Sequence, residues 1–203
     1  MKKSYLLSIV IFQCTYLSSC LGGSDYYRDR VEPFLKNLKS SYRPQVFDGV
    51  MEPEFPDLEE DQKTLVGNDS NHDGVRDDME IFINRNFNYD FERENFKMQF
   101  KRSLKFFESY RNMPTDEMIR YDSNSFEDDS CTKYAYRVLK KIPSDEVMKY
   151  QEGEALYNTR KRSDAYNFNY QKLAGRAYGD GYGDHNIFLN CKKRIDEKYN
   201  LKE

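Results

Sequence analysis

Tryptophan is absent from this 203-residue chain, and glycine, proline and cysteine are sparse at 10, 6 and 4 residues. Strand-like alternation of apolar and polar residues is nearly missing and no repeat of fixed period appears, so neither a sheet protein nor a solenoid is indicated. No C-x-x-C pair, G-x-S-x-G elbow, phosphate loop or H-E-x-x-H is present, which removes the usual signatures of thiol redox, serine hydrolase, nucleotide and zincin chemistry. A positive excess is lacking as well: 32 Lys and Arg stand against 35 Asp and Glu, a formal charge of −3. That balance gives no electrostatic ground for binding nucleic acid. Beyond the first twenty residues, no segment is apolar enough to span a bilayer.

What is there begins at the N-terminus. Lys2 and Lys3 precede a mainly apolar run from Tyr5 to Leu17, interrupted by Gln13 and too short for an ordinary spanning helix. It reads as a secretory signal. The run ends in Leu17, Ser18, Ser19, Cys20, which resembles the bacterial lipoprotein box, an aliphatic residue and two small ones before the cysteine that is acylated and becomes the new N-terminus. The resemblance implies a lipid anchor on Cys20. With Leu21 next rather than aspartate, it also implies an outer-membrane location, with the body facing the periplasm. Several acyl chains, each contributing roughly 0.8 kcal/mol per buried CH₂, hold such a protein without a transmembrane helix. Cleavage removes two lysines and no acid, taking the formal charge from −3 to −5. The expected organisation is a signal peptide over 1–19, a lipidated N-terminus and short tether over 20–30, and one domain over 31–203.

The apolar content is carried largely by aromatics, 17 Tyr and 14 Phe. Tyrosine buries a ring while its hydroxyl finds a partner, so a polar-looking chain can still build a core. Once Cys14 and Cys20 are set aside, Cys131 and Cys191 remain, and an oxidising compartment favours a disulfide between them. Each lies on an apolar helical stripe, Cys131 with Ala135, Val138 and Ile142, and Cys191 with Ile187, Ile195 and Tyr199. Closing a loop of roughly sixty residues would stabilise the fold by about 4 kcal/mol in the chain-entropy model.

The pattern along the chain predicts an all-α fold in one small domain. Ser24 to Arg28 reads as a polar tether, and Pro33 as an early helix residue ahead of Phe34, Leu35 and Leu38. Arg43 to Pro56 reads as an extended connector and Asp57 to Val66 as a short helix stopped by Gly67. Phe96, Phe100, Leu104 and Phe107 mark a long helix over 91–110; a short segment starts at Thr115, and Asp122 to Ser130 reads as an acidic break. A helix over Lys133 to Lys141 is stopped by Pro143, Ser144 caps the next one, and amphipathic stretches follow over 145–162 and 165–176.

One stretch carries specific chemistry: DSNHDGVRDDME, Asp69 to Glu80. Calcium wants six to eight oxygen ligands, which one loop supplies only if it curls tightly with side chains turned inward at alternate positions. Asp69, Asn71 and Asp73 have that spacing, and Gly74 stands at the sharp turn. Val75 would give its carbonyl, Asp77 would bind directly or through water, and Glu80 would close the shell with both oxygens. The stretch resembles the EF-hand calcium loop, and within that group the bacterial and thrombospondin type 3 variety, with Val75 after the glycine and Asp77 two further on. Two features depart from paired EF-hands: Arg76 stands where an aliphatic residue bridges to a partner loop, and no partner loop is visible. Val75, Met79, Phe82, Ile83, Asn86 and Phe87 mark one face of the exiting helix, so the ion would lock the start of a core helix as a structural site. The same residue types also build ordinary turns, but four carboxylates this close repel unless a cation compensates.

Other stretches offer less. YGDGYGDHN, Tyr178 to Asn186, lacks a closing glutamate, and DSNSFEDDS from Asp122 has Phe126 where an acid would be needed. Tyr150, Tyr157, Tyr166 and Tyr170 could form an aromatic surface for a glycan or protein, or pack half-buried. Catalytic residues are not legible. The reading that results is a calcium-binding, lipid-anchored envelope protein with a structural or partner-binding role, its partners being the membrane and possible envelope proteins or peptidoglycan. The alternative is a peptidoglycan hydrolase using a carboxylate pair, whose members sequence spacing cannot locate.

Overall fold

The computed structural model describes residues 26–109, 111–145, 147, 158–173 and 185–201. It is the all-α fold that the sequence pattern predicts. A wide helical turn over Tyr27–Val31 runs directly into α1 (Glu32–Leu38), with Pro33 in its first turn. The last residues of the tether expected over 20–30, from Tyr26 to Arg30, are therefore helical. Tyr26 and Tyr27 are already buried, because their rings pack in the core and the Tyr27 hydroxyl reaches Asp78 at 2.6 Å. Cys20 lies outside the described residues.

The connector expected between Arg43 and Pro56 holds a hairpin. Strands β1 (Val46–Phe47) and β2 (Val50–Met51) pair antiparallel, Val46 opposite Met51 and Phe47 opposite Val50. Asp48 and Gly49 between them have φ of 53° and 84°, and positive φ at both positions of a two-residue loop is the turn whose twist suits paired strands. Phe47 lies against the guanidinium groups of Arg85 and Arg93, which also bond Glu52 and Asp48. Those contacts hold the ribbon on the body while Val46, Val50 and Met51 stay exposed.

Next comes α2 (Leu58–Asp61), shorter than the helix expected to Val66. Asp57 caps it by accepting the Glu59 and Glu60 N–H groups at 2.9 and 3.2 Å. The acidic loop then leads into α3 (Asp77–Asn86), in which every residue from Asp77 to Asn84 is buried. A helix buried on all sides is a core element rather than a surface helix with one apolar face. Ile81 and Asn84 thus join the expected face inside.

Helix α4 (Asp90–Ser109) buries Phe96, Phe100, Leu104 and Phe107 as their spacing predicts. Helix α5 runs unbroken over Thr115–Leu139, so the acidic break expected at 122–130 is helical instead. The span contains no proline or glycine, and the modest propensity cost of Asp, Ser and Asn is outweighed by anchoring at both ends. Met118 and Ile119 are buried at one end, Cys131 and Ala135 at the other. Lys140 ends the helix in a left-handed conformation, φ 51°. Ser144 Oγ accepts the Val147 N–H at 3.4 Å, the cap its position suggests.

Helix α6 (Arg160–Leu173) takes in the start of the stretch expected over 165–176; of the stretch over 145–162, residues 146 and 148–157 lie outside the described residues. Helix α7 (His185–Lys198) packs along α5, and the Cys131–Cys191 disulfide joins them with Cα atoms 6.0 Å apart. Around it tyrosines bury rings and bond acids: Tyr134 to Asp196 at 2.5 Å, Tyr136 to Glu92 at 2.6 Å, and Tyr199 to Asp90. Tyr166 is likewise half-buried, against the cluster around Phe106 and Met118. Most of YGDGYGDHN lies outside the described residues. Among the described residues no helix is long and apolar enough to cross a membrane.

Candidate metal-binding loop

The loop from Asp69 to Glu80 is held by its own side chains. The Asp69 carboxylate accepts the N–H groups of Asp73 at 3.1 Å and Gly74 at 2.9 Å. Asn71 Oδ1 accepts the Asp73 N–H at 3.1 Å, and Asp73 Oδ1 the Val75 N–H at 2.8 Å. His72 and Gly74 take φ of 57° and 87°, the left-handed conformations that let so short a segment reverse. His72 is exposed, with Nδ1 2.9 Å from the Asp69 carbonyl. The Asp77 carboxylate accepts the Ser70 N–H at 3.0 Å, and the Asp77 N–H returns to the Asn68 carbonyl at 2.8 Å, closing the loop at the start of α3.

The six sequence-predicted ligands stand as follows. Asn71 and Glu80, nine residues apart, meet through Asn71 Nδ2 and Glu80 Oε2 at 3.1 Å. Asp69 and Asp73 meet through the Asp73 N–H, and Asp77 turns toward Ser70. Val75 buries its side chain with Met79 and Phe82. Burial pushes the Asp77 carboxyl up to about 6, against the hydrogen bond from Ser70. An open cleft of about 370 Å³ lies alongside, lined by Phe55 and Pro56 together with Asn68, Asp69, Ser70 and Asp77. The backbone curl and the order of acids fit an oxygen-coordinated ion. The carboxylates, however, are engaged by loop N–H groups and lysines, and among the described residues no group of three or more His, Cys, Asp or Glu side chains converges as a metal-binding set.

Sequence reasoning missed the residues that surround the loop. Helix α4 presents Lys97 to Glu80, Nζ to Oε1 2.8 Å, and Lys101 to Asp73, Nζ to Oδ2 3.7 Å. On the other side Arg76, fully buried, donates from Nε and Nη2 to the two oxygens of Asp78 at 2.9 and 3.0 Å. Asp61 is 3.9 Å from Arg76 Nε and accepts from Arg162 Nη2 at 3.2 Å. Arg162 also donates to the carbonyls of Asp61 and Leu65 and to Asn158 Oδ1. Two arginines and two aspartates thus form a charge-balanced buried network that ties the loop to α2 and α6.

Burial alone would raise Asp78, but the charge and hydrogen bonds of Arg76 outweigh it and hold the carboxyl below its usual range. Asp61, burdened by burial and by Asp78, stands above its usual range. Burial, together with the like charge of Arg76, brings the Arg162 guanidinium down to about 10. The same network accounts for an arginine at position 76: its side chain is committed inward, against Asp78 and Asp61. It also explains Gly67, whose φ is 82° and where a Cβ would stand 2.4 Å from Asp61 Oδ1 and 2.5 Å from Arg76 Cδ. Arg76 stands out in the sequence by its place in the loop, though not for the buried partners it meets, whereas nothing local marks Asp78, Lys97 or Arg162.

Comparison with protein-family models, with curated proteins and with solved structures gives no match for this chain.

Proposed function

We propose that this is a calcium-binding, lipid-anchored cell-envelope protein with a non-catalytic, structural or partner-binding role. The loop Asp69–Glu80 holds Ca²⁺ through Asp69, Asn71, Asp73, the Val75 carbonyl, Asp77 and Glu80. The observation that carries this reading is the loop's backbone: Asp69 receiving the Asp73 and Gly74 N–H groups, Gly74 at φ 87°, and Glu80 one turn into the helix that follows. A curl of this kind is what a single loop needs if its alternate side chains are to turn toward one ion, a convergence that calcium itself would complete. Because the exiting helix is buried on all sides, the ion fastens the core and does not swing an arm open.

The anchor is Cys20, and the body faces the periplasm from the outer membrane. Support for this part comes from the lipobox-like Leu17 to Cys20 and the following Leu21. Membrane lipid is then the first partner, and an envelope protein or peptidoglycan the second. Two measurements test the proposal separately. Equilibrium dialysis of the mature chain against calcium is expected to give one ion per chain, lost in Glu80→Ala; no saturable binding at millimolar calcium would remove the ion from the reading. Mass spectrometry of the N-terminal peptide is expected to find Cys20 acylated, and an unmodified cysteine or a chain cleaved elsewhere would remove the anchor.

A second reading has its own observation. Lys97 and Lys101 already lie against Glu80 and Asp73, so the protein's own ammonium groups could serve as the loop's counter-ions. The dialysis experiment separates the two, since this reading expects no calcium uptake.

A further inference from the structure

Lys97 and Lys101 sit four residues apart on α4 and so project from one face of it. That face lies against the loop. Lys97 Nζ is 2.8 Å from Glu80 Oε1, and the two side chains are only 16% and 1% exposed. Glu80 Oε2 is held at the same time by Asn71 Nδ2 at 3.1 Å. Both oxygens of the acid that would bind calcium in bidentate fashion are therefore engaged. Lys101 Nζ approaches Asp73 Oδ2 at 3.7 Å, and its stem crosses the loop's turn, with Cγ 3.3 Å from where a Cβ on Gly74 would stand.

We propose that these lysines, Lys97 above all, set the calcium affinity of the loop by competing with the ion for Glu80 and Asp73. This rests on the calcium reading of the loop. Binding would then be an exchange in which Ca²⁺ takes the Glu80 and Asp73 carboxylates while the Lys97 and Lys101 ammonium groups and the neutral Asn71 amide N–H let go. One divalent ion replaces two monovalent ones, so charge neutralisation barely changes, and what favours calcium is multidentate oxygen coordination. The two lysines are not equal. Lys97 is closer and largely shielded from water, so its pair is screened little; Lys101 is 43% exposed at 3.7 Å, in the range where ion pairs contribute little. The lysine stems remain useful after exchange, since their methylenes still cover loop and helix.

The test is calorimetric titration of the full mature chain with calcium alone, comparing wild type with Lys97→Met, Lys97→Gln, Lys97→Arg and Lys101→Met. Lys97→Met is expected to bind about tenfold more tightly, Lys101→Met within about threefold of wild type, and Lys97→Arg close to wild type. Melting in chelator adds a readout that simple damage would not give: Lys97→Met melts lower than wild type without calcium and matches or exceeds it when saturated. Should Lys97→Met not fold in chelator, Lys97→Gln, which keeps a hydrogen-bond donor without the charge, is expected to show the same tightening. If wild type binds calcium and neither Lys97→Met nor Lys97→Gln binds it more tightly, the exchange is wrong while the calcium loop stands. If no variant and not the wild type takes up calcium, the loop reading itself has failed, and the exchange with it.

Discussion

Two charged regions meet at residues 76 to 80 and solve opposite problems. On one side Asp61, Arg76, Asp78 and Arg162 are buried with charges that balance, each carboxylate meeting a guanidinium within the network. On the other the loop carries four carboxylates, Asp69, Asp73, Asp77 and Glu80, and no cation of its own that faces them. The interior tolerates charge only when it is paired and hydrogen-bonded. A half-wet loop tolerates an excess of one sign, provided that a cation comes from elsewhere, either from α4 or from solution. The contrast teaches that acidic residues adjacent in sequence can belong to different chemistries: Asp77 turns to the loop and Asp78 to the core.

The largest effect is expected on the dry side. Arg76→Met leaves Asp78 and Asp61 short of their partner in the core, and breaking such a pair costs about 3–5 kcal/mol. Urea denaturation is expected to show that loss whether or not calcium is present; a loss under 1 kcal/mol by the same estimate would mean the network is not a structural unit. Gly67→Ala comes next, because a side chain there needs a left-handed backbone and collides with Asp61 and Arg76. We expect about 2 kcal/mol or more, against about 1 kcal/mol for Gly49→Ala, whose φ is also positive but whose surroundings are open within 4 Å. Equal costs at the two glycines would argue against the close packing described at Gly67.

On the wet side the effect without calcium is small. Asp73→Ala removes a partly exposed pair and is expected to shift stability in chelator by no more than about 1 kcal/mol, while abolishing the response to calcium. Smallest of all is the hairpin pair. The hydrogen bonds from Arg93 hold the Asp48 carboxyl below its usual range, so the stability it contributes is present above the unfolded-state value and is lost as pH falls through the folded one. Wild type and Asp48→Asn should therefore differ in melting temperature at neutral pH and converge in acid. A gap that widened in acid would reverse the assignment.

Much of the local structure was legible in the sequence because it depends on neighbours along the chain. The stripe of Phe96, Phe100, Leu104 and Phe107 gave α4, and the leftover cysteines gave the bridge between α5 and α7. The hairpin could have been read, since Asp48-Gly49 between Val-Phe and Val-Met is a strong two-residue turn signal that the nearby prolines obscured. The acidic run at 122–130 has the composition of a break but no helix-breaking residue, and it is helical. The Arg162 to Asp61 and Lys97 to Glu80 contacts were not legible: they span 101 and 17 residues and depend on which helix faces pack. For the same reason the sequence named the loop's acids but not the cations beside them.

The decisive measurement is the thermal melting of the mature chain, disulfide intact, first in chelator and then across a calcium titration, with magnesium in parallel and the Asp73→Ala, Glu80→Ala double variant alongside. If the loop is a structural calcium site, the melting temperature of the wild type rises with calcium, magnesium does not match the rise, and the variant loses it. If wild type and variant melt alike at millimolar calcium, the loop is an acidic turn neutralised by Lys97 and Lys101, and the calcium-binding function proposed here is wrong.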